Sequence, residues 1–430
     1  MFFRKKRLNL YLRATISVME YLYTLGIFLL RLIYGASAWF SSKARAFRDG
    51  RIAQKEALAQ SFPLHGGQLV WFHCSSLGEF EQGRPVMEAL KAWRPELKLL
   101  LTFFSPSGYA VRKNYEHADF VFYLPWDTRS NAHWFAQTVR PSLVIFVKYE
   151  FWYHYTKALR QENIPVLSIA TIFRPGQIFF KAHGSLFRSL LRNFHFFFVQ
   201  NPESVELLRS IGINTAAVAG DTRFDRVHEA SLHVQDLDLI RRFKGDSLLM
   251  VLGSVWPRDM KVLIPFIREQ KELKFIIAPH EIHESFLKEI ERAVDGRAVR
   301  YSQLGNTPEH VSILLVDNVG LLSQLYRFGD VAFVGGGFGE GLHNILEAAC
   351  FGAPVFFGNK AYAKYQEATD LIERGGAFAV SDQADLKKKY QALMENPKAF
   401  DHARTAARQY IQENLGATEK ITTYCKKLLG

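Results

Sequence analysis

From residue 66 onward the chain alternates between short apolar runs and stretches with helical spacing. The runs at 68–74 (QLVWFHC), 97–104, 119–125, 143–148, 165–171 and 194–200 are apolar almost throughout. Strands covered on both faces read this way, whereas half-exposed strands alternate. The stretches between them, such as RPVMEALKAW at 84–93, leave room for crossover helices. The pattern predicts a parallel α/β domain. A second series begins near 247 and continues at 273–279, 312–317, 331–337 and 353–358. The polar segment 225–246 between the two series reads as a linker. The fold class expected is therefore α/β, with two Rossmann-like, doubly wound domains in tandem that face each other across a cleft. The boundaries fall at 51–228 and 229–430. Ligands of such sheets sit beyond the carboxyl ends of the strands, so residues just after each strand carry the chemistry.

The first 50 residues follow a different pattern. Basic RKKR (4–7) precedes YLYTLGIFLL (21–30) and LIYGASAWF (32–40), and Lys43, Arg45 and Arg48 follow. The uncharged apolar runs are about ten residues long, short of the ~20 that a spanning helix needs. On a helix, Arg13, Ser17, Glu20, Thr24 and Arg31 share one narrow stripe, and the remainder is mostly Leu, Ile, Phe and Tyr. The segment is expected to associate with a membrane through this apolar surface, with its basic flanks on anionic headgroups.

Charge sharpens this picture. A net charge of +12 predicts an anionic partner. Nucleic acid is not expected, because no RNA- or DNA-binding motif appears and the basic residues are spread along the chain. The three cysteines, Cys74, Cys350 and Cys425, lack metal-ligand spacing, and neither a disulfide framework nor a metal site is expected.

The most specific stretch is VAFVGGGFGEGLHNILEAACFGAPVFFG at 331–358. Its glycines, including Gly336 and Gly337, follow a strand and admit a ligand close to the backbone. A helix is expected from His343–Asn344, its N-terminus suited to phosphate and Glu347 one turn inside, facing ribose hydroxyls. GSVWPRD (253–259) repeats the theme around Ser254, with Pro257 opening a helix. APHEIH (278–283) ends a strand with Pro279 and His280. In the first domain, HCSSLGEFEQGRP (73–85) sets Glu79 behind Gly78 in a strand-to-helix turn. There Gly78 is expected to bend the chain, the helix to start near Pro85, and Glu81 to be solvated. VKYEFW (147–152) puts Lys148 and Glu150 at a strand end, Arg174 and Arg223 are expected near the cleft on the acceptor side and at the catalytic centre respectively, and Arg188 and Arg192 form a basic ridge suited to a phosphorylated lipid.

Taken together, HCSSLGE, SPSG (105–108), YLPWD (123–127), EFW, FVQNPES (198–204), AGDTRFD (219–225) and FVGGGFGEGLHNILEAA resemble, in order and spacing, the motifs of the 3-deoxy-D-manno-octulosonic acid (Kdo) transferases. The resemblance runs from the membrane segment to about residue 385. It implies a GT-B fold at the cytoplasmic face of the inner membrane, and transfer of Kdo from CMP-Kdo to lipid A precursor with inversion and without a metal or other cofactor. It implies that Glu79 is the general base and that Arg223 stands where the family has a transition-state lysine. Pro279, His280, Asn344, Ile345, Leu346 and Glu347 match CMP-contacting positions, and Val319, Gly320 and Leu321 occupy the CMP-contacting Met-Gly-Glu loop. The chain departs from the family where Lys148 replaces the first glutamate of Glu-Thr-Glu-Leu-Trp. It also departs where Leu321 replaces a loop carboxylate and where Glu340 lies seven residues before Glu347.

Overall fold

The computed structural model describes residues 2–62, 67–232, 237–306, 311–360 and 362–430, with side chains from residue 20 onward except 43, 46, 186 and 306. Arg13 and Ser17 of the polar stripe, and residues 233–236 of the expected linker, lie outside those descriptions. The chain divides into two compact units, residues 1–225 with 416–430, and residues 226–415.

In the first unit seven parallel strands form one sheet: β1 (Leu69–Cys74), β2 (Lys98–Phe103), β3 (Phe120–Tyr123), β4 (Leu143–Val147), β5 (Val166–Thr171), β6 (Phe196–Val199) and β7 (Ala216–Val218). Their order is β3-β2-β1-β4-β5-β6-β7. β1 is central, with Trp71 opposite Leu100 on one side and Val144 on the other. Its successive side chains point to opposite faces. Trp71 joins Phe135, Phe146 and Phe197 in one core, while Phe72 joins Phe80, Phe103 and Ile145 in the other. Every residue of β1 is buried, which explains its unbroken apolar run.

The second unit repeats the plan with β8 (Leu249–Val255), β9 (Lys274–Pro279), β10 (Ala298–Arg300), β11 (Ile313–Leu315), β12 (Val331–Val334), β13 (Val355–Gly358) and β14 (Ala377–Val380). The order is β10-β11-β9-β8-β12-β13-β14. In both sheets the strand order reverses beside the first strand of the unit, between β1 and β4 and between β8 and β12.

Three elements differ from expectation. The expected linker is largely helical, Thr222–Leu232 and Asp238–Lys244. The final helix, Ala417–Leu429, packs on the first unit although it follows the second in sequence. Its Ala417, Ile421, Cys425 and Leu429 recur every fourth residue and fill the core around Phe72 and Phe80. The helix after β1, α3 (Leu77–Trp93), starts at Leu77 and carries Pro85 in its interior. Gly78 has no positive φ, and a Cβ there would meet nothing closer than the Ser76 hydroxyl, so the turn does not require glycine.

At the N-terminus, α1 (Phe2–Ser37) is followed by α2 (Ser42–Ser61). Among the described residues no helix is long and apolar enough to cross a membrane. Of the polar stripe of α1, Glu20 and Thr24 turn inward together with the neighbouring Tyr23, whereas Arg31 is exposed. Glu20 accepts from Lys157 Nζ and Tyr153 OH, Tyr23 donates to Asp127 (2.6 Å), and Thr24 meets His154 (3.0 Å). Tyr21, Leu22, Leu25, Phe28, Leu29, Leu32 and Ile33 are left exposed.

Candidate active site

The β1–α3 turn is a capping box. Ser76 is the N-cap, its hydroxyl accepts from Glu79 N–H, and the Glu79 carboxylate reaches back to the N–H groups of Ser75 and Ser76. A carboxylate held by two amides is ordinarily ionised with ease. Here burial dominates, the Glu150 charge adds to it, and together they outweigh the two amides and Lys148, pushing Glu79 up to about 8.

Glu150 enters because β4 lies beside β1, so the residues after both strands meet at the same edge. It is almost fully buried and accepts from His73 Nε2 (3.0 Å) and from Trp152 Nε1 (2.6 Å). Burial pushes Glu150 up, but hydrogen bonds from His73, Ser75 and Trp152 and the His73 charge hold it below the usual range. His73 Nδ1 faces the Thr102 hydroxyl (2.8 Å) and the Thr102 carbonyl, which only accepts. The ring therefore spans from Thr102 on one side to Glu150 on the other. Lys148, backbone φ 68°, follows β4, and its positive charge acts on Glu79. Ser75 contacts both carboxylates, through its amide to Glu79 and its hydroxyl to Glu150.

Arg223 is held from below. Its Nε and Nη2 donate to Asp221 Oδ2 (3.0 and 2.8 Å), and Asp221 also accepts from Gln82 of α3 and from Gln200. Burial pushes Asp221 up, but Arg223 and these donors keep it below the usual carboxylate range. Asp221, Gln82, His73 and Thr102 are site residues that sequence reasoning passed over. For Asp221, Gln82 and His73 the signal was a polar side chain inside a motif read for its neighbour.

In the second unit the equivalent turn follows β8. Ser254 sits in a bulge with φ 52°, and Asp259, third residue of the helix Pro257–Glu269, accepts from Trp256 N–H (2.8 Å) and Gly336 N–H (2.9 Å). Burial pushes Asp259 up to about 6 against those two amides. The amides expected to grip phosphate at 253–259 are therefore in part taken by a carboxylate of the same turn. Gly336 has φ 86°, and a Cβ on Gly337 would collide with the Gly358 backbone, so the glycine run is a conformational and steric necessity. Trp256, His280 and His343 stack, with His280 and His343 centroids 4.2 Å apart, and Trp256 Nε1 donates to His343 Nε2 (2.8 Å). Burial and the neighbouring His280 hold His343 down at about 4.

The helix expected from His343–Asn344 is a single turn, Leu346–Ala349. Ile345 and Leu346 are fully buried core residues. Asn344 Nδ2 donates to Glu347 (3.1 Å), and burial pushes Glu347 up against the pull of Arg226 and Asn344. Arg226, Ser323, Gln324 and Glu347 line a cavity of about 130 Å³. Pro279 is buried at the end of β9, while Val319 and Gly320 are exposed and Leu321 half-buried. Glu340 pairs with Arg258 (3.4 Å). In the first unit Arg174 reaches Tyr149 OH, beside Glu150. The Arg188 guanidinium is occupied by the carbonyls of Phe179, Lys181 and Ala182, and Arg192 lines a separate cavity with Arg160 and His195. Glu81 is paired with Arg112 (2.9 Å) instead of solvated.

Two parallel doubly wound sheets in tandem, each with its candidate residues beside the point where strand order reverses, define a GT-B scaffold. In agreement, the solved UDP-GlcNAc 2-epimerase of Neisseria meningitidis superposes with a TM-score of 0.57, over 84% of this chain and 99% of that one, at 14% identity. Residues 47–226 match the family model of the 3-deoxy-D-manno-octulosonic-acid transferases (kdotransferases). The 3-deoxy-D-manno-octulosonic acid transferase of Aquifex aeolicus is 28% identical over 361 residues, 80% of this chain and 92% of that protein. The transferase of the same name from Haemophilus influenzae is 24% identical over 398 residues, 87% and 92% of the two chains. The chain is a relative of the Kdo transferases.

Proposed function

We propose that the protein is an inverting glycosyltransferase that moves Kdo from CMP-Kdo to a phosphorylated lipid A precursor at the cytoplasmic face of the inner membrane. The observation that carries this reading is the half-exposed Glu79 at the β1–β4 edge, its proton affinity raised by burial and by Glu150. The acceptor is a sugar hydroxyl that loses its proton as it attacks, and a carboxylate within hydrogen-bond reach removes it for a gain of about 10²–10⁴. Raising the carboxylate toward neutral pH makes it a better proton acceptor than an ordinary glutamate. As the acidic sugar develops oxocarbenium character, Arg223, fixed by Asp221, offers positive charge to the departing phosphate. Lys148 offers a second positive charge beside the base, where the family has a glutamate.

CMP leaves with a single phosphate, so the reaction as proposed relies on side chains and uses neither metal nor cofactor. On the second unit, His280, the glycine run with Gly336 and Gly337, Asn344 and Glu347 serve the nucleotide. The outward apolar face of α1 supports membrane attachment. The test is transfer of labelled Kdo from CMP-Kdo to purified lipid acceptor by wild type and Glu79→Gln, with CMP binding followed by calorimetry. Loss of transfer with CMP binding retained is expected, and full turnover by the variant overturns the proposal.

A further inference from the structure

A cavity of about 680 Å³ opens in the first unit between α1, α2 and the segment 125–131. Arg31, Arg48, Arg51 and Lys55 line it together with Tyr34, Phe47 and Trp126, and no acidic residue does. Arg51 is a fixed wall. It donates to the carbonyls of Leu124, Phe47 and Phe104 and lies 3.6 Å over the Phe47 ring. Arg48 is paired with Asp49 (2.7 Å). Arg31 and Lys55 have no acidic partner among the described residues, and Lys55 reaches only Asn131 (3.3 Å) and the Trp134 ring.

This basic cavity is contiguous with the exposed apolar surface. Leu32 and Ile52 line its wall and are themselves exposed, and Leu25, Phe28 and Leu29 continue along α1 away from it. The helix presents this face to solvent because Glu20, Tyr23 and Thr24 on its other side are anchored on Lys157, Tyr153, Asp127 and His154. A ligand that matches both halves carries a phosphate and long hydrocarbon chains together. Nucleic acid and free phosphate match only the charged half.

We propose that the cavity seats the headgroup phosphate of an anionic glycerophospholipid, with Arg31 and Lys55 on the phosphate and the acyl chains along α1. The inference deepens the membrane attachment proposed above and rests on it for its setting. It explains why cations and aromatics occur together at this place, since rings beside a headgroup tolerate both hydrocarbon and water.

The test uses the full chain and dihexanoyl phosphatidylglycerol below its micelle concentration, with dihexanoyl phosphatidylcholine and inorganic phosphate as comparisons, by calorimetry. Saturable binding of the phosphatidylglycerol alone is expected. Each basic side chain near an anionic lipid contributes on the order of 1 kcal/mol, so Arg31→Ala/Lys55→Ala is expected to weaken it roughly thirtyfold. Lys271→Ala/Lys388→Ala, at exposed positions of the second unit, is the control and is expected to leave it unchanged. Arg31→Glu alone is the second variant, and circular dichroism checks the fold of each. Equal binding of the zwitterionic lipid, equal binding of inorganic phosphate, or unchanged affinity in both Arg31 variants overturns the proposal. Flotation with phosphatidylglycerol vesicles separates the two readings. A chain that binds the short lipid but does not float retains the cavity assignment and loses the membrane attachment.

Discussion

The two units place a carboxylate at the same structural position and use it differently. Glu79 after β1 and Asp259 after β8 are each the third residue of a helix, and each accepts two backbone N–H groups including that of its own N-cap residue. Each stands where the strand order of its sheet reverses. The second amide makes the difference. For Glu79 it is Ser75, in the same turn, so the carboxylate caps its helix and remains beside Lys148 and Glu150. For Asp259 it is Gly336, across the switch point on the loop after β12, so the carboxylate ties a helix to the glycine run. A capping acid with a second acid buried next to it is suited to the role of base proposed for Glu79, whereas one whose other partner belongs to a distant loop is a clip.

Four measurements would break or sharpen this contrast. The largest effect is expected from Glu79→Gln, which keeps a carbonyl oxygen for the cap and removes the base. Transfer should fall by about 10²–10⁴ with little change in melting temperature. A large loss of stability with transfer intact would make Glu79 the clip.

Asp259→Ala is the mirror experiment. It leaves the Trp256 and Gly336 amides without their carboxylate, and urea unfolding should show a loss of about 1–3 kcal/mol. Nucleotide affinity should weaken with it as the glycine run loosens.

The third measurement is a pH profile. Glu79 acts only when ionised, so kcat/KM should climb as pH passes through about 8. Its protonated form also favours the fold, because the folded-state value lies above the ordinary 4.5. That contribution is complete below about 4.5 and is lost as pH rises through 8, so stability and activity run in opposite directions over one interval. Glu150→Gln removes the adjacent charge and should move the activity limb to lower pH. A shift of one pH unit corresponds to ~1.4 kcal/mol. An unmoved limb would show that Glu150 does not act on the base.

Arg223→Lys should have the smallest effect, within about tenfold in kcat, or ~1.4 kcal/mol. It preserves the charge but gives up the paired contact with Asp221.

Much of this was legible in the chain. Eleven apolar runs correspond to strands of the two sheets, most of them buried on both faces, with the half-buried edge strand β3 among them. β7, β10 and β14 escaped because they are edge strands of three or four residues, and their apolar positions do not extend into a run as long as that around β3. Glu79, Lys148, Glu150 and Arg223 stand directly after strands or at a turn, so their motifs were visible. Asp221 and His73 were not, because their importance lies in what they hold. Ile345 and Leu346 illustrate a different limit of motif reading. They belong to a motif, yet their side chains fill the core, and only Asn344 and Glu347 beside them present polar atoms. The stack of Trp256, His280 and His343 joins three segments far apart in sequence, and no local pattern predicts it.

Asp225 has a consequence for the architecture of the gene product as a whole. Its two oxygens accept the N–H groups of Gly416 (2.6 Å) and Thr418 (2.7 Å), so the point where the chain leaves the first unit and the point where it returns are fastened by one side chain. The second unit is in effect a guest inserted into a loop of its host, and the loop's two stems are already closed. Excising 226–415 and joining Asp225 to Gly416 through a short flexible linker should therefore leave a host that folds, with its last helix still in place.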